Sequence, residues 1–141
     1  MGSAAPHAPI GAAGEDYLRA IFKLEEAGAS VTTSAIAGAM AVSAPSATSM
    51  VKKLDALRLI EHAPYHGVRL TEQGRAVALE LTRHHRLLEL FLVERLGLPT
   101  DDAHDEADRL EHALSETVER HIAESLGYPT SDPHGDPIPP A

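Results

Sequence analysis

The stretch TSAIAGAMAVSAPSATSMVKKLDALRLIEHAPYHGVRL, residues 33–70, decides the architecture. Thr33-Ser34 can cap a short helix running through Met40, with Ile36, Ala37 and Met40 as its apolar stripe. Ala41-Val42 is a break. Ser43 then stands as an N-cap, and Pro45 falls in the first turn of the next helix, where its missing N–H costs nothing. Met50, Val51, Leu54 and Leu57 carry that helix onward. Leu59-Ile60-Glu61-His62 and Val68-Arg69-Leu70 read as two strands around a turn at Tyr65-His66-Gly67. Short helix, turn, helix and hairpin, in that order, predict a winged helix-turn-helix.

On the N-terminal side, residues 15–27 place Tyr17, Leu18, Ile21, Phe22 and Leu24 at helical spacing, with Gly28 as the stop. On the C-terminal side, Thr71-Glu72-Gln73-Gly74 opens a long helix to about Leu96, closed by Gly97 and Pro99. A last helix is predicted from about Asp101 to Leu126, with Gly127 as its cap. Prolines 6, 9, 129, 133, 137, 139 and 140 mark both ends as flexible or extended. The expected organisation is a tail over 1–13, a winged helix-turn-helix over 14–75, a helical domain over 76–128, and a Pro-rich tail or truncated linker over 129–141. The fold class is mainly α.

A recognition helix presents small polar groups at its N-terminus, where side chains reach base edges in the major groove. Ser43, Ser46, Thr48 and Ser49 do this, while Ala47, Met50, Val51 and Leu54 hold the inner face. Lys52 and Lys53 follow at positions suited to phosphates, and Arg69 on the hairpin can contact the backbone or minor groove. Taken alone, these residues also read as the solvated face of a surface helix. The full order of elements favours DNA.

The chain carries 12 Lys+Arg against 21 Asp+Glu, a formal net charge of −9, which at first argues against nucleic acid. The charge is unevenly divided. Residues 1–75 hold seven basic and seven acidic side chains, so every net negative charge lies beyond residue 75. The 141 residues contain no cysteine, which excludes disulfides, thiolate metal sites and thiol catalysis. No apolar run has the length of a membrane span and the N-terminus lacks signal-peptide blocks, so a cytoplasmic protein is expected.

The acidic half is also rich in histidine. HDEADRLEH, residues 104–112, sets His104 and Asp108 four apart, Asp108 and Glu111 three apart, and Asp108 and His112 four apart. On a continuous helix these share neighbouring parts of one face, and their like charges repel unless a cation offsets them. His85 and Glu89 are four apart on the preceding helix. His104 and His112 would lie about 12 Å apart along one axis, too far for a single ion. Two metal positions are therefore expected, one at Asp108, Glu111 and His112, the other at His85, Glu89 and His104. Each pair alone also reads as an ordinary surface pair, and His7, His62, His66, His84, His121 and His134 are assigned no role.

Together these residues resemble the diphtheria-toxin-repressor family of bacterial metal-dependent transcriptional regulators, including its manganese-transport-regulator branch. The stretches carrying the resemblance are GEDYLRAIFKLEEAG (14–28), VSAPSATSMVKKLDALRLI (42–60), LTEQGR (70–75), HRLLELFL (85–92), HDEADRLEHALSETVERHI (104–122) and GDPIPP (135–140). The resemblance implies a primary metal site of Asp16, Asp108, Glu111 and His112, and a second site of His85, Glu89 and His104. It implies base contacts from Ser43, Pro45 and Ser49, a homodimer paired through C-terminal helices, and a palindromic double-stranded operator. It also implies up to two ions per subunit and a repressor of metal-uptake genes rather than an enzyme.

Two departures from the family pattern bear on the metal. The iron-responsive branch has softer Met and Cys ligands where this chain has Asp16 and Asp108, and an oxygen-rich set favours Mn²⁺. The manganese branch has a carboxylate where this chain has Arg19, so its binuclear site does not transfer. Mn²⁺ is the expected co-repressor, with Fe²⁺ as the alternative. Larger members continue into an SH3-like domain that can donate to the second site, leaving three expected protein ligands here. Two rivals from other classes remain: a winged-helix regulator sensing an organic ligand, and a metallohydrolase, against which no nucleophile or separate general base is evident.

Overall fold

The structure, a computed structural model, describes residues 10–63 and 67–141. In chain order its elements are α1 (Gly11–Glu26), α2 (Thr33–Met40), α3 (Ala44–Ala56), β1 (Ile60–Ala63), β2 (Gly67–Leu70), α4 (Glu72–Glu94), α5 (Thr100–Leu110), a 3-10 turn (Glu111–Ala113) and α6 (Glu116–Ser125). The chain divides inside α4 into two compact units, one ending at Leu79 and the other starting at Glu80. That is about one turn beyond the boundary expected after residue 75.

In the first unit, α1 starts earlier than its apolar spacing indicates. Ile10 is buried and its carbonyl accepts from the Gly14 amide at 3.3 Å, so residues 10–13 are not the flexible tail expected. Residues 1–9, including His7, lie outside the described residues, as do Tyr65 and His66 of the expected turn. Thr32 rather than Thr33 caps α2, its Oγ1 accepting from the Ala35 amide at 3.0 Å, because Thr32 is the last extended residue. α2 ends with Ala41 in the left-handed region, where its amide and that of Val42 satisfy the Gly38 and Ala37 carbonyls. The chain bends by 111° between α2 and α3, within the range of a helix-turn-helix. Ala47, Val51 and Leu54 of α3, Ile36 and Ala37 of α2, and Leu18 and Ile21 of α1 are buried.

The hairpin pairs antiparallel in the register Ile60↔Leu70, Glu61↔Arg69, His62↔Val68 and Ala63↔Gly67. Glu25 of α1 fastens it. One carboxylate oxygen accepts from the Leu70 amide at 3.0 Å and the other from Arg75 at 2.7 Å, while the Arg75 guanidinium stacks over Phe22. Thr71 caps α4, its Oγ1 accepting from the Gly74 amide at 3.1 Å and donating to the Arg58 carbonyl at 2.8 Å.

Gly74 sits where no side chain fits: a Cβ there would lie 1.8 Å from the Leu59 carbonyl oxygen. Backbone would have to move, so Gly74→Ala should destabilise this unit by about 3 kcal/mol, the upper end of overpacking costs. Gly38, on the open side of α2, has nothing within 4 Å of such a Cβ. Gly38→Ala should instead stabilise by about 0.5–1 kcal/mol through helix propensity. Urea unfolding of the two variants side by side checks both signs.

In the second unit, Leu87, Leu88, Leu90 and Leu92 of α4 pack with Ala103 and Ala107 of α5, Ile122 and Ala123 of α6, and Ile138. The single helix expected over 101–126 is broken. Regular α-helix stops at Leu110, Glu111–Ala113 tighten into a 3-10 turn, Leu114 is extended, and Ser115 caps α6 by accepting from the Val118 amide at 3.1 Å. Ser115 is the signal for that break: a side-chain oxygen that offers a new helix start competes with continuation of the old one.

The Pro-rich C-terminal stretch is extended but not free. Asp132 is buried, its Oδ1 accepting from the amides of His134 at 2.9 Å and Asp136 at 2.8 Å. Arg83 and Arg86 of α4 donate to the carbonyls of Pro139 at 2.8 Å and Pro137 at 2.5 Å. Proline removes backbone donors and leaves its carbonyls available, and two arginines meet that need. Among the described residues, no single helix is long and apolar enough to cross a membrane.

Candidate metal centre and nucleic-acid face

The face of α3 expected to read DNA is open. Ser43, Pro45, Ser46, Thr48, Ser49, Lys52 and Lys53 are all exposed, while the alternate positions Ala47, Val51 and Leu54 are buried. Ser43 does two jobs at once: its Oγ accepts from the Ser46 amide at 3.3 Å and donates to the Ser46 Oγ at 2.9 Å. Arg69 on the hairpin is exposed but lies 3.3 Å from Glu61, its cross-strand partner. Within its own unit Asp16 is half-buried on α1, with Arg19 at 3.8 Å.

The second unit gathers the acidic and imidazole groups. His85 and Glu89 project from α4 with His85 Nε2 at 3.1 Å from Glu89 Oε1. His104 of α5 brings Nδ1 to 3.0 Å from Glu89 Oε2 and 3.3 Å from His85 Nε2. The other side of the same two rings faces Asp108, with His85 Nδ1 at 3.2 Å and His104 Nε2 at 3.6 Å. The rings meet edge to face, centroids 4.9 Å apart, held between two carboxylates.

Glu111 is 1% exposed, its Oε1 at 2.5 Å from His85 Nδ1 and its Oε2 at 3.6 Å from His112 Nε2. The residues expected at two separate positions are thus linked through His85, with Nε2 toward Glu89 and Nδ1 toward Asp108 and Glu111. Helical backbone continues through Glu111 and turns extended only at Leu114, so Asp108 and Glu111, three residues apart, both face His85 Nδ1.

Burial opposes ionisation of Glu89, but hydrogen bonds and charge from His85 and His104 overcome it and hold the carboxyl down at about 2. A dry, ionised carboxylate ringed by imidazoles is the donor set a divalent cation requires, since ligands must offer lone pairs and shed protons. His85, His104 and Asp108 each offer an atom within 4.8 Å of the others.

Two features escaped the sequence reading. His134, assigned no role, comes from the docked C-terminal stretch to within 3.4 Å of Glu89 Oε2. Its signal was DPHGD, a turn sequence in which Asp132 accepts from the amides of His134 and Asp136. His84 is also buried, with Nε2 3.0 Å from Glu119 Oε2 and Nδ1 3.3 Å from the Glu111 carbonyl oxygen. Burial disfavours its charged form, yet the hydrogen bond and charge of Glu119 raise its pKa. Arg83 shares Glu119, and Glu80 and Glu116 complete this neighbouring cluster.

Comparison with known proteins agrees with both halves. Residues 10–68 match the N-terminal DNA-binding domain of iron-dependent repressors, and residues 71–140 match their metal-binding and dimerisation domain. The iron-dependent repressor IdeR of Mycobacterium tuberculosis is 42% identical over 125 residues, covering 89% of this chain and 54% of that protein. A manganese-dependent transcriptional repressor solved with manganese superposes with a TM-score of 0.84 at 44% identity, over 91% of this chain and 59% of that one. The manganese regulator SloR gives 0.82 at 39% identity, over 90% and 59%. The chain spans about half the length of the curated relatives it matches. From residue 10 to residue 140 it belongs to the diphtheria-toxin-repressor family, whose domains bind DNA, bind metal and dimerise.

Proposed function

We propose that the protein is a metal-dependent transcriptional repressor whose co-repressor is Mn²⁺, acting as a homodimer on a palindromic operator. The observation that carries the reading is the buried set around His85. Buried Glu89, Glu111 and His85 converge there with the half-exposed His104 and Asp108; carboxylates so gathered are unfavourable without a cation, and they lie apart in sequence from the exposed polar face of α3.

In this scheme Asp108, Glu111 and His112 form the primary site, to which the family resemblance adds Asp16. His85, Glu89 and His104 form the second. Carboxylate repulsion disfavours assembly of the primary set, and a divalent ion reverses the sign of that interaction. Metal binding then biases the conformational population toward the DNA-binding one, by as much as the ion's preference for it. Ser43, Pro45 and Ser49 contact bases, with Ser46 and Thr48 beside them, while Lys52, Lys53 and Arg69 contact phosphates. No catalytic step is assigned to any residue.

Hard oxygen donors favour Mn²⁺. Fe²⁺ is the second reading, supported by the 42% identity to an iron-dependent repressor and by the imidazoles of the second site. The test is a fluorescence-anisotropy titration on duplexes selected from a random library in the presence of Mn²⁺, Fe²⁺ or Zn²⁺, each repeated with chelator. Mn²⁺ should tighten binding at least tenfold. Enhancement by Fe²⁺ alone would reassign the co-repressor, and affinity indifferent to chelation would remove metal from the mechanism.

A further inference from the structure

We propose that Glu80, His84, Glu116 and Glu119 form a further divalent-cation position, which takes Mn²⁺ and ties α6 to α4. It shares no ligand with the positions around His85 and does not depend on them.

The donors come in two pairs. Glu80 and His84 are four apart on α4, and Glu116 and Glu119 are three apart at the start of α6, so each pair shares a helix face. Packing brings the two faces together. Glu80, His84 and Glu116 each offer a donor atom within 4.8 Å of the others, and His84 Nε2 lies 3.0 Å from Glu119 Oε2. In an octahedral shell with bonds of about 2.1 Å, neighbouring donors lie about 3.0 Å apart and opposite ones about 4.2 Å. The cluster stands near that spacing.

Two buried atoms point to a ligand. His84 is 5% exposed and Glu119 4%, and the contact between Nε2 and Oε2 is too poorly aligned to satisfy either atom. Such atoms are costly to bury, and a cation facing both lone pairs would satisfy them together. The other side of the ring is already arranged for this. His84 Nδ1 lies 3.3 Å from the Glu111 carbonyl oxygen, and a proton held there leaves the Nε2 lone pair for an ion. Arg83 stands 3.3 Å from Glu119 Oε1 and donates to the Pro139 carbonyl, which fixes the carboxylate and leaves Oε2 for the ion. Its charge also makes this a weak position, filled after the His85 cluster. Glu116 and Glu119 line an open cavity with Arg120 and Tyr128, a route for the ion from solvent. Three carboxylates and one imidazole form a hard donor set, which suits Mn²⁺.

Mn²⁺ titration of the full chain, with the free ion read by its electron paramagnetic resonance signal, counts the bound ions. Wild type should bind one more Mn²⁺ per chain than Glu80→Gln/Glu116→Gln, in a separate, weaker step. Glu116→Gln alone should weaken that step at least about tenfold. Glu116 is exposed and Glu80 half-buried, so amides there should leave the circular dichroism unchanged. Glu111→Gln should keep the step, which separates it from the primary position. Asp101→Asn/Asp102→Asn removes the same charge from the exposed start of α5 and should match wild type. Equal counts and affinities in wild type and Glu80→Gln/Glu116→Gln would overturn the proposal and leave the cluster an ion-pair network. An equal loss in Asp101→Asn/Asp102→Asn would also overturn it, by reducing the step to general charge attraction.

Discussion

Glu111→Gln should abolish the response to metal while leaving the protein folded. The substitution keeps the shape of the side chain and removes only its charge. Glu111 is fully buried in the 3-10 turn, reaching His85 with one oxygen and approaching His112 with the other. In the proposed scheme it serves the primary position as a ligand and the second position through the orientation of His85. Losing a supporting partner typically costs 10–100-fold in metal affinity, and losing a ligand costs at least the upper figure. At a metal concentration about 100 times the wild-type dissociation constant, bound ion stabilises the wild type by about 2.7 kcal/mol. With a hundredfold weaker site the same concentration gives about 0.4 kcal/mol. The metal-induced rise in Tm should collapse accordingly in a scanning calorimeter. Without metal, the variant should stay folded but be less stable than wild type, because the buried Glu111 is the close partner of His85 Nδ1 and the amide keeps the shape without the charge. Operator binding should stay at its metal-free level at any Mn²⁺ concentration. A Tm rise equal to that of wild type would show that Glu111 is not a ligand.

The parts of the fold legible in the sequence were those set by local rules. Ser43 before Pro45 marked the start of the recognition helix, and alternation in Ile60–His62 and Val68–Leu70 marked the wing, because caps and strand periodicity depend on neighbours a few residues away. The helical spacing of residues 104–112 brought His104, Asp108 and Glu111 to one side, where the structure also gathers them around His85, but the predicted helix ran on too far. Periodicity is blind to a cap in mid-pattern, and Ser115 ends a run that otherwise reads as continuous to Leu126. His134 was illegible for a different reason. Its partner Glu89 is 45 residues away, and only the docking of a proline-rich stretch through Arg83, Arg86 and Ile138 brings the two together. The pairing of His84 with Glu119 is equally non-local. Sequence spacing thus finds neighbours that share one helix and misses contacts supplied by a stretch with no periodicity.

Lys52→Ala combined with Lys53→Ala should cost about three orders of magnitude in operator affinity near physiological salt, by an argument independent of the metal. Both lysines are exposed on α3 past its polar start, and neither belongs to the metal cluster. In the proposed dimer they amount to four phosphate contacts. Each neutralised phosphate contributes about −0.9 to the slope of log affinity against log salt, so removing four flattens that slope by about 3.6 and lowers affinity at 0.15 M about 10³-fold. The formal net charge of −9 makes these contacts matter more, since the excess acid lies beyond residue 75 and the DNA-facing side must supply its own local attraction. Arg69 is a weaker contributor than its exposure implies, because Glu61 across the strand already offsets its charge. The double variant should keep the full metal-induced rise in Tm, the reverse of Glu111→Gln, which loses that rise and keeps the salt slope of its residual binding. Filter binding across a salt series, with and without Mn²⁺, separates the two. An unchanged slope in the lysine variant would place the phosphate contacts elsewhere, whatever the metal does.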